Sequence, residues 1–269
     1  MSRRPGLIVY EGPSLLNGAP IVGILTNIPP GPPSDNEATG PSSQLWILDP
    51  AEHPVEKQRG GHDAVCGDCP AKKWCYAGPR AVTSVWRRYQ RGGYKAWNPE
   101  VNPFVVGRRR RRRGMPRGIA CWPLRFGADG DPAALPVEVL ERLAEYAGPR
   151  NYMGYTHQWR SIAPELAPRY AALLMASCDS PRDLADALAT GGLWRPFYVM
   201  TPGEQLPEGA FWCPKDGKQP GGARLQCVDC RACWGSDGTP GKAYPAVVAH
   251  GFPHLVKRFV EWREQNDRA

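Results

Sequence analysis

Cysteines that could hold a metal fall into two groups along this chain. Seven of the nine cysteines belong to these groups, which are Cys66, Cys69 and Cys75, then Cys213, Cys227, Cys230 and Cys233. Each group contains cysteines separated by two residues, so a tight turn can bring two sulfurs to one metal, as in zinc and iron–sulfur sites. Three cysteines leave one metal position open for chemistry, whereas four close the coordination shell and are usually structural. The three-cysteine group is therefore the candidate reaction site.

Both groups must be positioned by a fold in which short apolar segments alternate with amphipathic ones. Apolar segments predict strands at 21–27, 44–48, 119–126, 151–156, 171–177, 194–200 and 246–250, and amphipathic segments predict helices at 79–90, 135–147, 181–189 and 252–264. This alternation indicates an α/β fold with a parallel sheet, open or closed into a complete or partial TIM-type barrel. We expect one barrel-like domain over residues 1–269, with a three-cysteine loop at 60–78, an arginine-rich loop at 107–117 and a four-cysteine loop at 210–240.

Polar side chains follow three of the predicted strands. Asp129 and Asp131 follow the strand at 119–126, and Asp179 follows the strand at 171–177. Thr156 ends the strand at 151–156, and His157 comes directly after it. Active sites of parallel α/β folds lie at the carboxyl ends of the strands, so we expect these side chains and the three-cysteine group at one mouth. Asp131, His157 and Asp179 are the candidate catalytic residues. Helix capping is the alternative role for Asp131 and Asp179.

Length and composition indicate a globular protein. The chain has 269 residues and is 42% hydrophobic, which is enough for a substantial core. No apolar run approaches the roughly 18 residues that cross a bilayer, and the N-terminus lacks a signal-peptide core. We therefore expect a cytoplasmic protein with no membrane partner, in which clustered cysteines bind metal more often than they form disulfides. The remaining cysteines, Cys121 and Cys178, lie in predicted strands and are expected to be buried.

The positive charge is concentrated in one run of arginines. The net charge is +8, and the run consists of Arg108, Arg109, Arg110, Arg111, Arg112 and Arg113. Such a run suits the phosphate backbone of DNA or RNA, because each neutralised phosphate releases a counterion. Binding of this kind would be independent of sequence. The alternative is a solvated loop with no ligand.

Several segments resemble the phage "gene product 88" families of uncharacterised phage and plasmid proteins. The segment at 34–40 precedes a Leu-Trp-Ile-Leu strand and the Cys-x2-Cys-x5-Cys-Tyr pattern that ends at Tyr76. The segments at 125–131 and 154–157 match strand ends of those families, as does the later Cys-Pro followed by Cys-x2-Cys-x2-Cys. The resemblance covers the chain from about residue 20 to 255. It implies a phage- or plasmid-encoded protein.

The same arrangement is similar to the radical S-adenosylmethionine enzymes, in which three cysteines after the first strand hold a [4Fe–4S] cluster. This similarity implies that the open iron binds S-adenosylmethionine, with Gly130 and Asp131 in the place of the Gly-Gly-Glu segment and Thr156 lining the same site. It places Tyr76 as the aromatic residue beside the last cysteine and an auxiliary cluster on the four-cysteine group. The spacing departs from the family, which usually has Cys-x3-Cys-x2-Cys.

Three functional hypotheses follow. The favoured one is a radical-SAM-like iron–sulfur enzyme that modifies nucleic acid. The second is a zinc-containing barrel transglycosylase that uses Asp131 and Asp179 as nucleophile and base. The third is a non-catalytic protein that binds nucleic acid and is braced by its metals. A fourth ligand from His62 or Asp68 would make the three-cysteine site structural.

Overall fold

A computed structural model describes residues 6–29, 31–59, 61, 63–75, 77, 79–104, 122–216 and 224–266. The strands are β1 (Gly6–Pro13), β2 (Pro20–Thr26), β3 (Ser43–Leu48), β4 (Lys95–Ala96), β5 (Leu124–Asp129), β6 (Tyr152–Met153), β7 (Tyr155–Thr156), β8 (Met175–Cys178), β9 (Pro196–Met200), β10 (Ala210–Trp212) and β11 (Tyr244–Val248). The α-helices are α1 (Asp63–Cys66), α2 (Pro79–Gln90), α3 (Val137–Ala147), α4 (Ala167–Ala171), α5 (Pro181–Ala189), α6 (Cys227–Cys230) and α7 (Pro253–Asn266). Short 3₁₀ helices occupy Pro54–Arg59, Pro70–Trp74, Pro132–Ala134 and Pro214–Asp216.

The strands form two sheets that share one extended segment of the chain. The six-stranded sheet has the order β4-β1-β2-β3-β5-β6, and the five-stranded sheet has the order β10-β11-β9-β8-β7. β6 pairs with β5 and β7 pairs with β8, and only Gly154 lies between β6 and β7. The segment 152–156 therefore passes directly from one sheet into the other.

Parallel pairing dominates from β3 to the end of the chain. The pairs β3–β5, β5–β6, β7–β8, β8–β9, β9–β11 and β10–β11 are all parallel. Antiparallel pairing joins β1 to β2 and β2 to β3. The predicted α/β fold with parallel strands is confirmed. A closed barrel is not shown, since both strand orders are open over the described residues.

Apolar side chains cover both faces of the first sheet. On one face Leu25 and Ile47 join the main core with Leu140 of α3. On the other face Trp46 packs in a second cluster with Val82 of α2. Strands buried on both faces have nearly continuous apolar sequences, which explains why β2 and β3 were predicted from composition alone. No helix within the described ranges is both long enough and apolar enough to cross a membrane.

The boundaries of several elements follow the sequence closely, whereas β1, β4 and β10 were not predicted and β5 ends at Asp129, beyond the predicted end at 126. Helices α2 and α5 begin and end where the sequence predicted. The predicted strand at 171–177 is wrong in its first half, because α4 continues to Ala171 and β8 begins only at Met175. Leu173 and Leu174 instead close a turn, and their N–H groups donate to the Tyr170 carbonyl. A short buried apolar run does not by itself distinguish a helix end from a strand.

Candidate active site

The carboxyl ends of the parallel strands open onto one cavity of about 1520 Å³. The side chains of both cysteine groups line this cavity, although the two groups lie far apart in the sequence. Strand-end residues line it as well, namely Asp129, Gly130, Asp131, His157 and Asp179. The structure thus brings the cysteines and the candidate catalytic residues to one mouth.

The three-cysteine group is shaped by α1 and the 3₁₀ helix after it. Helix α1 ends at Cys66, Gly67 turns the chain with a φ of 58°, and the N–H of Cys69 donates to the Cys66 carbonyl at 3.2 Å. Cys69 and Cys75 then flank the helix Pro70–Trp74. This turn places Cys66 and Cys69 of the Cys-x2-Cys pattern at the cavity wall.

Gln158 fastens that turn to the end of β7. Its buried side-chain amide donates to the Cys66 carbonyl at 3.0 Å. A Cβ atom on Gly67 would lie 2.7 Å from the amide carbon of Gln158. Glycine is therefore required at position 67 by this contact as well as by its positive φ. Sequence reasoning missed Gln158, and its position directly after a predicted strand was the signal available.

Helix α7 packs against the outer part of the three-cysteine loop. The Trp74 ring lies 4.8 Å from Trp262 and 6.0 Å from Phe259 between centroids. Arg258 donates to the Lys73 carbonyl at 3.2 Å. Apolar packing of the last helix thus holds the loop in place at the cavity.

Asp131 connects two strand ends through its carboxylate. Oδ1 accepts a hydrogen bond from the N–H of Ala133 at 3.0 Å, and Oδ2 accepts one from the N–H of His157 at 2.8 Å. The Thr156 side chain also hydrogen-bonds to this carboxylate and is fully buried beside it. Burial raises the pKa of Asp131, and His157 and the hydrogen bonds offset that effect only in part. Asp131 caps the short helix Pro132–Ala134. It does not cap the long helix that follows, as the capping alternative predicted, because α3 begins only at Val137 after Pro136.

Gly130 allows the turn after β5 to approach β3. Its φ is 80°, and a Cβ atom there would lie 2.6 Å from the Ile47 carbonyl oxygen. Val65 of α1 lies at a similar distance on the same side. The close approach places Asp129 and Asp131 beside the three-cysteine loop.

His157 joins Asp179 to the three-cysteine group. Its Nε2 atom lies 3.0 Å from Asp179 Oδ2, and its ring also hydrogen-bonds to the Cys69 thiol. Burial acts to lower the pKa of His157, but Cys69 and Asp179 outweigh it and raise that pKa well above its usual value. Three strand-end segments therefore meet in one polar network. Neighbouring Ser180, rather than Asp179, caps α5, because its hydroxyl accepts from the N–H of Asp183 at 3.0 Å.

A buried arginine of α7 contacts this network through the backbone of Asp179. Arg263 is 3% exposed and donates to the carbonyl of Asp179 and to the hydroxyl of Tyr198. It also forms an ion pair with Glu204 at 3.3 Å. This role of Arg263 was not predicted, since the segment at 252–264 was predicted only as a helix.

The four-cysteine group is assembled from a strand end and a short helix. Cys213 follows β10, and α6 places Cys227 and Cys230 one turn apart. Arg231 ends α6 with a φ of 53° and donates its N–H to the Cys227 carbonyl at 2.9 Å. The Cys233 carbonyl accepts a hydrogen bond from Gly154 at 3.2 Å, at the junction of the two sheets. The loop is thereby fixed to the sheet and to the cavity.

The segment at 34–40 holds the other side of this loop. The N–H of Cys227 donates to the Ala38 carbonyl at 3.2 Å, and the N–H of Val228 donates to the Thr39 carbonyl at 3.1 Å. Ala38 and Thr39 also line the cavity. The segment before β3 thus contacts the four-cysteine group through backbone hydrogen bonds.

Cys233 is buried, the other three cysteines of this group are partly buried, and the four thiols are close enough to interact electrostatically. Burial raises the pKa of Cys213 to about 11, and it also raises the pKa values of Cys227 and Cys233. Each of these thiols is further disfavoured as a thiolate by its cysteine neighbours. A shared metal cation would offset both effects, because thiolates are the ligand form.

The donor set of both groups therefore fits a thiolate-ligated metal or iron–sulfur centre. No disulfide joins the cysteines in the described part of the chain. Within the described residues, no three His, Cys, Asp or Glu side chains are grouped tightly enough to hold a single metal ion. Asp68 is exposed, whereas His157 contacts Cys69 directly. Cys178 is fully buried, as predicted.

Several predicted residues fall outside the described ranges. They are Tyr76, His62, Cys121 and the whole run from Arg108 to Arg113. No family model matches this chain, and neither a curated protein nor a solved structure is significantly similar to it. The function must therefore be argued from the cavity itself.

Proposed function

We propose that this chain is an iron–sulfur enzyme with a reactive [4Fe–4S] cluster on the three-cysteine group and an auxiliary cluster on the four-cysteine group. The observation that carries the proposal is that both groups line one cavity at the carboxyl ends of parallel strands. Active sites of parallel α/β folds lie at that edge. A cluster held by three thiolates would supply one iron that is open to a cofactor or substrate, together with single-electron chemistry.

S-adenosylmethionine is the second cofactor that we propose, by the resemblance to radical SAM enzymes. The cavity of about 1520 Å³ is larger than the ~300–1,000 Å³ of ordinary ligand pockets, so it has room for a cofactor and a substrate. Gly130 and Asp131 line the cavity and would lie beside the cofactor. Thr156 would act through Asp131, since its hydroxyl is buried against that carboxylate.

Residues of the chain would orient the reacting groups and limit access of water. His157 positions Cys69 through their hydrogen bond, and Asp179 fixes the imidazole. Trp74, packed on α7, shields the outer side of the three-cysteine loop. Asp131 keeps the two strand ends in register through its backbone contacts.

The parallel strands from β3 to β10 support the proposal of a partial radical-SAM-like barrel, with segment 152–156 joining the two sheets. A nucleic-acid substrate and a phage or plasmid origin also belong to the proposal. In that proposal Arg108 to Arg113 would contact the phosphate backbone. These parts depend on the sequence resemblance and on the charge of the arginine run.

The geometry favours this function over a zinc-containing transglycosylase. That alternative requires Asp131 to act as a nucleophile or base. Both oxygens of Asp131 accept hydrogen bonds from backbone N–H groups, which commits the carboxylate to the turn. A nucleophilic or basic role would draw on the same carboxylate that holds the two strand ends together, so the reaction would disturb these contacts.

Paired cysteine variants test the proposal. Cys69→Ser and Cys230→Ser should each remove the iron and sulfide of one cluster. Cys178→Ala should remove none, because Cys178 is fully buried and does not line the cavity. Iron and acid-labile sulfide per chain are measured after anaerobic purification. Full iron content in both serine variants, or its complete absence from the unaltered chain, would contradict the proposal.

A further inference from the structure

Cationic side chains from separate segments converge on the cavity near the four-cysteine group. Arg125 of β5, Lys215 after Cys213 and Arg231 after α6 all line it. Arg88 of α2 and Arg91, which follows the end of α2, line the same cavity. Arg125 and Lys215 both interact electrostatically with the Cys227 thiol, which places them beside that cysteine. The cavity wall therefore carries a cluster of positive charge.

Two of these arginines are held in position by the chain. Arg231 donates its Nε–H to the Val228 carbonyl at 2.9 Å. The Arg88 guanidinium lies 4.7 Å from the Tyr94 ring centroid, and its Nε–H donates to the Gly93 carbonyl at 3.0 Å. Fixed guanidinium groups lose less conformational entropy when they bind an anion, so they are suited to recognition.

The cations near the four-cysteine group lack carboxylate partners. Across the described ranges, no Asp or Glu oxygen forms an ion pair with Arg91, Arg125, Lys215 or Arg231. The Lys215 Nζ atom lies 2.8 Å from Nε2 of His250. Positive charge that faces a cavity without a carboxylate partner attracts an anionic ligand.

The acidic residues of the same cavity are largely committed to partners in the protein. Asp131 accepts from two backbone N–H groups, and Asp179 pairs with His157. Asp35 and Asp129 also line the cavity. Asp131 and Asp179 thus lie towards the three-cysteine group, through His157 and Cys69, whereas Arg125 and Lys215 lie beside Cys227 of the four-cysteine group.

We propose that this cavity takes a phosphate-bearing substrate, a nucleotide unit, whose phosphate binds to Arg125, Arg231 and Lys215. Arginine presents a planar fork that matches two phosphate oxygens, and lysine adds a point charge. The substrate would then extend from its phosphate towards the three-cysteine group. This inference rests on the proposed function for the reaction that the substrate undergoes. Binding of the phosphate itself requires only the three cationic side chains. The nucleotide unit could be free or part of a strand.

Binding measurements on the anaerobically purified protein test the inference. The probes are inorganic pyrophosphate, adenosine diphosphate and a short single-stranded DNA. Arg125→Gln and Arg231→Gln should each weaken pyrophosphate binding by about tenfold or more, as expected for loss of a charge-assisted contact. Arg182→Gln is the matched control, since Arg182 lies exposed on α5. Iron and zinc are measured in every variant.

The probes distinguish the two sources of the phosphate. Tighter binding of the DNA than of adenosine diphosphate supports a nucleotide unit within a strand, and the reverse order supports a free nucleotide. Absence of binding by all three probes overturns the inference. A second result also overturns it, namely that Arg125→Gln and Arg231→Gln lower the metal content but bind pyrophosphate as tightly as Arg182→Gln does. In that case the two arginines stabilise the metal centre and do not bind phosphate. If the purified protein contains no metal but still binds pyrophosphate, the proposed function is contradicted and the phosphate-binding inference stands.

Discussion

His157 Nε2 lies 3.0 Å from Asp179 Oδ2, at the junction of two strand ends. The same imidazole hydrogen-bonds to the Cys69 thiol, so it connects those strands to the three-cysteine loop. Groups that hydrogen-bond to metal ligands orient them and tune their affinity. His157 is therefore a positioning residue for the proposed cluster.

Replacing His157 should weaken the metal site without unfolding the protein. We expect His157→Ala to lower metal affinity at the three-cysteine group by about 10–100-fold, the usual effect of losing such a supporting contact. Competition with a chelator measures the affinity. His254→Ala is the control, because His254 is exposed at the start of α7. Equal affinities in the two variants would exclude the positioning role.

Gln158 should stabilise the three-cysteine turn through its side-chain N–H. Gln158→Glu preserves the shape but removes the donor to the Cys66 carbonyl. We expect it to lower the free energy of unfolding by about 1–3 kcal/mol, because a buried acceptor loses its partner. Urea denaturation measures the change. Gln90→Glu, at an exposed position on α2, should change stability much less, and a similar loss there would contradict this account.

Gly130 should tolerate no side chain. In Gly130→Ala the new Cβ would lie 2.6 Å from the Ile47 carbonyl oxygen, in addition to the strain of a positive φ. Gly18→Ala is the matched control, since Gly18 has a φ of 78° but no atom within 4 Å of its Cβ position. Positive φ alone costs about 1–2 kcal/mol, so Gly130→Ala should be destabilised by clearly more than Gly18→Ala. Equal losses of thermal stability would show that the contact has no effect.

Arg263 should make a large contribution to stability. Arg263→Met leaves Glu204 and the Asp179 carbonyl without their buried donor, and breaking a buried ion pair costs about 3–5 kcal/mol. Arg258→Met, on the exposed side of the same helix, should cost far less. Denaturant unfolding of the two variants gives the comparison. A small effect at Arg263 would mean that the network is not formed in solution.

Tyr89 should make stability depend on pH in the alkaline range. Burial and the Glu11 carboxylate, which accepts from the Tyr89 hydroxyl at 2.6 Å, raise the pKa of Tyr89 to about 12. Because the folded pKa exceeds the unfolded value of 10.0, this stabilisation is complete below pH 10 and is lost as the pH rises towards 12. The unaltered chain should therefore lose more stability over that interval than Tyr89→Phe. Equal losses of stability in the unaltered chain and in Tyr89→Phe would contradict the raised pKa of Tyr89.

Much of the fold could be predicted because apolar periodicity reports burial directly. The Pro181–Ala189 helix has both a capping serine and an amphipathic pattern, and its bounds were predicted correctly. Strands of two or three residues, such as β4 and β10, were not predicted, since so few residues carry no period. The run from Ala171 to Leu174 was misassigned because it is apolar throughout, although Ala172 is exposed, and so shows no helical period.

The candidate site could be predicted only in part. Strand-end position was enough to bring Asp131, His157 and Asp179 towards one cavity. The contacts of Gln158 with Cys66 and of Arg263 with Asp179 join residues far apart in the sequence. Neither contact follows from local spacing, because each depends on how separate elements pack.

The central claim is that thiolates of both cysteine groups bind iron–sulfur clusters in one cavity. Quantifying iron, zinc and acid-labile sulfide in freshly and anaerobically purified protein tests it most directly. We predict iron and sulfide in near-equal amounts, in a quantity sufficient for two clusters per chain, with little zinc. Stoichiometric zinc without iron or sulfide would contradict the claim.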